Sequence, residues 1–244
     1  MIDDTDHAFD FGPFEALTFD CYGTLIDWEA GLTAALRQVL DPHGVHPDTD
    51  ALLETYAGFE AELERPPYRR YRDVLAEAAR RVGATYGVEP TEAELATFGG
   101  SVVDWPAFPD SRAALARLKT RFRLGVLTNC DDDLFAASNE RLGVEFDWVV
   151  TAQQAGGYKP DPHNFEVLFE RLGLPRERIL HVAQSLYHDH VPAKALGLRS
   201  VWIDRRHDRA GAGATPPAQA TPDLTFPDMA SFAAAAVAED EPSA

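Results

Sequence analysis

Three short apolar runs, far apart along the chain, each end in a small polar or acidic group. Leu17-Thr18-Phe19 runs into Asp20, Leu124-Gly125-Val126-Leu127 into Thr128-Asn129, and Ile179-Leu180-His181-Val182-Ala183 into Gln184-Ser185. Apolar runs of strand length, separated by stretches of helical spacing, predict buried strands of a parallel sheet with helices on both faces. Further strands are expected near 147–151 and 199–203, which makes the fold class α/β with a doubly wound parallel sheet. In such a sheet ligands bind outside the carboxyl ends of the strands, so the polar strand ends, and Asp20 first among them, are where chemistry is expected.

Residues 28–100 interrupt this alternation. Leu52, Leu53, Tyr56, Phe59 and Leu63, and then Tyr71, Val74, Leu75 and Ala78, recur at helical spacing with no strand pattern between them. We expect an inserted helical cap over the strand ends, carried by a core formed from residues 14–27 and 101–235. The α/β pattern resumes at Asp110-Ser111, which has the residue types of a helix N-cap. The 244 residues suit one such core with one inserted subdomain. Residues 1–13 and 236–244 read as flexible termini, and 211–222, rich in Gly, Ala, Pro and Thr, as a linker before a short last strand and an Ala-rich helix.

A formal net charge of −18 argues against nucleic acid and anionic membranes as partners. It also repels an anionic substrate at long range, so a carboxylate or phosphate ligand needs a local positive pocket. Lys159 and the cluster Arg65, Arg69, Arg70 and Arg72 are the candidates for it, the alternative for the cluster being a solvated helix face. No apolar run approaches the roughly 20 residues of a membrane span, and the acidic start lacks the basic flank of a secretion signal, so a cytoplasmic location is expected. Cys21 and Cys130 fit neither a disulfide framework nor a four-ligand zinc site and read as reduced thiols.

Asp20, the Thr128-Asn129 pair, Lys159 in the loop Gly157-Tyr158-Lys159-Pro160, and Ser185 with Asp189 occur in the order and spacing of the four signature motifs of the haloacid dehalogenase superfamily. Over residues 14–205 the chain resembles that superfamily, and within it the 2-haloacid dehalogenases. The resemblance implies a Rossmann-like core, Asp20 as nucleophile and a small anionic substrate, and makes a homodimer plausible. A desolvated carboxylate beside a cation is a competent nucleophile. Lys159 is the cation expected to serve Asp20, Thr24 to bind its carboxylate, and Tyr22 to line the substrate pocket. Thr128 and Asn129 offer hydroxyl and amide donors to a substrate carboxylate or oxyanion. Ser185 and Asp189 are expected to orient Lys159 or the hydrolytic water. Asp20 and Thr24 also have a plain structural reading in a turn, Thr128 and Asn129 as helix caps and Lys159 as a surface lysine, and His188 and His190 are given no role.

Two departures separate the chemistries of this superfamily. Similar phosphatases carry a general acid two residues after the nucleophile, where this chain has Tyr22, and an acidic magnesium ligand before the serine, where it has Gln184. A halide leaves as a stable anion and needs no such proton, whereas phosphoryl transfer relies on a divalent ion. Hydrolytic dehalogenation of short 2-haloalkanoic acids through an ester on Asp20, without a cofactor, is therefore the first expectation. A magnesium-dependent phosphatase for a small phosphorylated metabolite is the alternative, with Asp20 and Asp189 as weak metal ligands, and a catalytically idle binding protein is a third. Two further departures concern the dehalogenases themselves. Those similar to this chain carry an Arg early in the cap to receive halide, where this chain reads Leu52-Leu53-Glu54-Thr55-Tyr56, and a Tyr six residues after the lysine, where it has Phe165.

Overall fold

The computed structural model describes residues 9–209 and 213–238. In chain order these form β1 (Ala16–Phe19), α1 (Trp28–Leu40), α2 (Thr49–Leu63), α3 (Tyr71–Thr85), α4 (Glu92–Gly100), α5 (Ser111–Leu118), β2 (Arg123–Thr128), α6 (Asp132–Leu142), β3 (Trp148–Thr151), α7 (Ala152–Ala155), α8 (Pro162–Leu172), β4 (Ile179–Ala183), α9 (Val191–Ala195), β5 (Arg199–Ile203), β6 (Leu224–Phe226) and α10 (Met229–Ala236). The strands make one parallel sheet in the order β3-β2-β1-β4-β5-β6. The chain winds outward from β1 to β3 and then returns to the other side of β1. The topological switch therefore lies between β1 and β4, whose register pairs Phe19 with Val182.

The strands are apolar on both faces because both are covered. Leu17, Phe19, Leu124 and Val126 belong to the larger core, together with Leu115 of α5, Leu134 and Phe135 of α6 and Phe232 of α10. Ala16, Leu127, Val150 and Ile179 pack on the opposite side with Phe165 and Leu168 of α8 and Ala193 of α9. The side chain of Asp161 accepts from the His163 N–H to start α8 ahead of Pro162, and Gly173 ends it with a positive φ of 62°.

The insert is helical throughout α1 to α4. Asp27 caps α1, Asp48 caps α2, and Thr91 with Glu94 forms a capping box on α4. The outgoing and returning chains are tied together: Ile26 bridges Ala107 antiparallel, the Asp27 N–H donates to the Pro106 carbonyl at 2.8 Å, and the Phe108 N–H to that of Leu25 at 3.0 Å. Gly31 lets α1 lie flush on Trp105, for a Cβ there would sit 2.3 Å from the indole.

Several expectations change. Asp110 does not cap α5 with its side chain. Its carboxylate instead takes two bonds of 3.0 Å from Arg205 and accepts the Met229 and Ala230 N–H groups, so it caps α10 from across the fold. Within 9–13 the two phenylalanines are packed: Phe11 is buried in the main core, and Phe9 stacks on Phe14 beneath the Arg199 guanidinium. Ala236, expected in the tail, is buried at the end of α10. Within 211–222, Ala214 is buried and its N–H is bonded to Glu29 of α1. The flexible readings of 1–8 and 239–244, and of 211 and 212 in the linker, lie outside the described residues. Among the described residues no helix is long and apolar enough to cross a membrane.

Candidate active site

Asp20 continues β1 by one residue, its N–H donating to the Val182 carbonyl at 3.1 Å, and its side chain emerges at the carboxyl end of the central strand pair. The chain then turns sharply. Gly23 has φ 92°, its N–H bonds the Ile26 carbonyl, and a Cβ there would approach the Gln184 side chain to 3.1 Å, so glycine suits both the dihedral and the close approach. The turn brings the Thr24 hydroxyl back to donate to Asp20 Oδ2 at 2.7 Å. The same oxygen of Thr24 accepts the Gln184 N–H at 2.9 Å, which fixes the direction of its proton.

The other carboxylate oxygen, Asp20 Oδ1, accepts from Lys159 Nζ at 2.9 Å. The ammonium also donates to Asp189 Oδ1 at 2.7 Å and to the Leu127 carbonyl at 2.9 Å, so its three protons are all committed. Asn129 clasps the backbone of the same residue, its Nδ2 donating to the Lys159 carbonyl at 3.0 Å and its Oδ1 accepting the Lys159 N–H at 2.8 Å. Burial, at 1% exposure, works against the charge on Lys159. The carboxylates of Asp189 and Asp20 more than offset this and hold the ammonium up at about 12. Burial, with the charge of Asp189, holds the Asp20 carboxyl above its ordinary value, against the opposing pull of Lys159 and Thr24. With the ammonium charged throughout the neutral range, we read the pair as ionised.

Asp189 lies in a wide turn over Leu186–His190, where the N–H groups of both Asp189 and His190 bond the Ser185 carbonyl. Its burial is outweighed by Lys159 and His181, which hold the carboxyl well below its ordinary value. His181 Nε2 is 3.0 Å from Asp189 Oδ1 and its Nδ1 is 2.9 Å from the Thr18 hydroxyl. Thr18, His181, Asp189, Lys159 and Asp20 thus form one buried polar chain across β1 and β4. Each of its charged groups is paired, the condition for burying charge, although Asp189 Oδ2 has no partner among the described residues.

A cavity of about 30 Å³ opens over Asp20, enough for about two to three water-sized groups. Asp20, Tyr22, Asn129, Lys159 and Ser185 line it from the core side, with His188. Trp28, Glu60, Glu64 and Tyr71 line it from the insert. Of the residues expected from the sequence, Thr24 and Asp189 stand behind this wall and hold its members. Tyr22 reaches the cavity with its ring, which packs edge-on to Trp105, while its hydroxyl is bonded to Ser138 and Cys130. Thr128 is not on the wall: it is buried, and its hydroxyl has no partner among the described residues.

The arginine cluster does not supply the positive pocket. Arg70 and Arg72 pair with Asp131 and Asp133, and neither Arg65 nor Arg69 is on the cavity wall. Cys21 and Cys130 are buried free thiols, as expected. What the sequence reading missed is acidic. Glu60 shares the apolar stripe of α2 with Leu53, Tyr56 and Leu63, and a carboxylate on a buried stripe was the available signal. His181, inside a strand, offered none.

The model of the haloacid dehalogenase-like hydrolases matches residues 14–197. The haloacetate dehalogenase H-2 of Moraxella sp. (strain B) is 28% identical over 225 residues, covering 88% of this chain and 94% of that protein. The (S)-2-haloacid dehalogenase H-109 of Pseudomonas putida is 24% identical over 220 residues, covering 83% and 92%. The fold is that of the L-2-haloacid dehalogenase from Xanthobacter autotrophicus, with a TM-score of 0.74 at 20% identity over 90% of this chain and 97% of that one.

Proposed function

The chain belongs to the haloacid dehalogenase-like hydrolases, and from that premise we propose that it hydrolyses the carbon–halogen bond of short 2-haloalkanoic acids. The observation that carries the reading is the Asp20 carboxylate. It is buried at the end of β1, held by Lys159 at 2.9 Å and Thr24 at 2.7 Å, and set in the wall of a cavity. The two contacts keep it ionised and fix its direction, so little reorganisation separates the resting group from an attacking one.

In the first step an Asp20 oxygen attacks C2 of the substrate in line with the carbon–halogen bond. A carbon–oxygen bond forms, halide leaves with its electron pair, and C2 is inverted. Water then attacks the Asp20 carbonyl carbon. Lys159 and Thr24 stabilise the charge that develops on the carboxyl oxygens. Collapse releases the 2-hydroxy acid with an oxygen from Asp20, restores the carboxylate with an oxygen from water, and sheds one proton. An S-2-haloacid gives an R-2-hydroxy acid by this route.

Where a phosphatase of this family holds its general acid this chain has Tyr22, whose hydroxyl is engaged with Ser138 and Cys130. The Lys159 ammonium lies between Asp20 and Asp189 and takes the place a cation shared by them would need. Both features favour a reaction without magnesium over phosphoryl transfer.

Halide release from 2-chloro- and 2-bromoalkanoates, with and without EDTA, tests the reading. Release is expected to survive the chelator and to fall by at least about 10⁴-fold in Asp20→Asn, the scale of removing a covalent nucleophile. A single turnover in ¹⁸O water should leave the first hydroxy acid unlabelled and label Asp20. Label passing directly into the product would overturn the ester intermediate, and chelator-sensitive activity on phosphate esters alone would overturn the substrate class.

A further inference from the structure

The cavity has the wrong charge for its proposed substrate. Asp20, Glu60 and Glu64 present three carboxyl groups to it, and among the described residues Lys159 is the one cationic side chain on its wall, with all three ammonium protons already committed. No arginine among the described residues is on the wall. His188 bonds Ser185 through Nδ1, and its Nε2 is 3.9 Å from Glu64 Oε2. Burial pushes its imidazole down to about 4, so it is neutral at neutral pH. A 2-haloacid brings one negative charge and releases another as halide, and like charges in a desolvated space exclude one another.

We propose that Glu60 and Glu64 receive the anion as neutral carboxylic acids, so that substrate binding is coupled to proton uptake on α2. Their surroundings act in both directions: burial favours the acid, while the two tyrosine bonds to Glu60 favour the carboxylate. Tyr56 and Tyr71 donate to the same oxygen of Glu60, Oε1, at 2.8 and 2.9 Å, and Oε2 has no protein partner among the described residues. Glu64 Oε2 meets Asn129 Nδ2 at 3.5 Å. The titratable and charged groups around the two are Tyr56 on α2, Tyr71 on α3, Asp20 at the strand end, Tyr158 and Lys159 in the loop before α8, and His188, with Arg65, Asp161 and Tyr187 about a second cavity that Glu64 also lines. The cations among them are Lys159, which is buried between two carboxylates, and Arg65, which is exposed and absent from the cavity over Asp20. Burial raises Glu60 to about 7. Burial and then the charge of Glu60 raise Glu64 well above its ordinary value, against the pull of Lys159. Trp28, also on the wall, keeps a buried indole N–H with no partner among the described residues. Neutral donors therefore take the place of a guanidinium.

The inference rests on the anionic-substrate reading, and its test separates the two. Calorimetry of acetate binding, in buffers of different ionisation enthalpy at about pH 8, counts protons without turnover. The wild type is expected to take up about one proton or more per acetate, and Glu60→Gln/Glu64→Gln none. In parallel, kcat/KM for bromoacetate should fall about tenfold per pH unit above the Glu60 titration in the wild type and stay level in the double variant, whose amides donate at every pH. Glu64→Gln alone, with an intact Tyr56–Glu60–Tyr71 cluster, serves if the double variant does not fold, and should lower the uptake. Absence of proton uptake, uptake undiminished in the variants, or no acetate binding at about pH 6 would overturn the proposal. Proton-coupled acetate binding with no halide release from any haloacid would sink the dehalogenase reading alone.

Discussion

Lys159 answers for two buried carboxylates at once, and its removal should therefore cost more than a catalytic group. Lys159→Met leaves Asp20 and Asp189 without their cation. We expect a loss of about 3–5 kcal/mol in urea unfolding, the cost of a broken buried ion pair, together with loss of halide release. Adding Asp189→Asn should recover part of the stability and none of the activity, because the nucleophile still lacks its cation. The same contacts set a pH window for stability. Asp189 is depressed in the folded state, so its contribution is present above its ordinary value of 3.8 and is lost as pH falls below that. Lys159 is raised to about 12, so its contribution is complete below 10.5 and is lost as pH rises through that interval. Chemical denaturation across pH should show a plateau between these limits, and the alkaline fall should disappear in Lys159→Met, which has no ammonium to lose.

Elements were legible where their cause is local and obscure where it is not. Strands β1, β2 and β4 announce themselves by apolar runs ending in Asp20, Thr128 and Gln184, and α2 and α3 by helical spacing, because period and composition act over a few residues. The N-terminus of α5 carries the residues of a cap, yet Asp110 is claimed by Arg205 and by α10, elements more than 90 residues away in sequence. The site divides in the same way. Asp20, Thr24, Asn129 and Lys159 meet as their motifs imply, whereas Glu60, Glu64 and His181 become part of it only through packing of α2 over the strand ends and of β4 beside β1. The passage between insert and core offers a test at this scale. Gly31→Ala places a methyl within 2.3 Å of Trp105, whose ring packs edge-on to Tyr22 at the cavity. We expect a loss of about 1–3 kcal/mol from overpacking, and a raised KM as Trp105 and Tyr22 shift.

For the whole molecule, a net charge of −18 surrounds a site whose proposed substrate is an anion. Screening should help: kcat/KM for a 2-haloacid is expected to rise about two- to fivefold between roughly 10 and 150 mM of a non-halide salt, as the Debye length contracts from about 30 to about 8 Å. Neutral 2-haloamides, measured in parallel for binding, should show no such trend. The insertion of α1 to α4 directly after β1 has an effect on time as well as shape. Asp20 and the lysine that charges it are 139 residues apart. At roughly 5–20 residues per second of synthesis, the nucleophile emerges several seconds before its cation, and nothing shorter than the chain through Asp189 contains the whole polar chain. The proposed nucleophile is therefore an unassisted, ordinary aspartate while the protein is being made, and it gains its cation only when the later half of the sheet closes against β1.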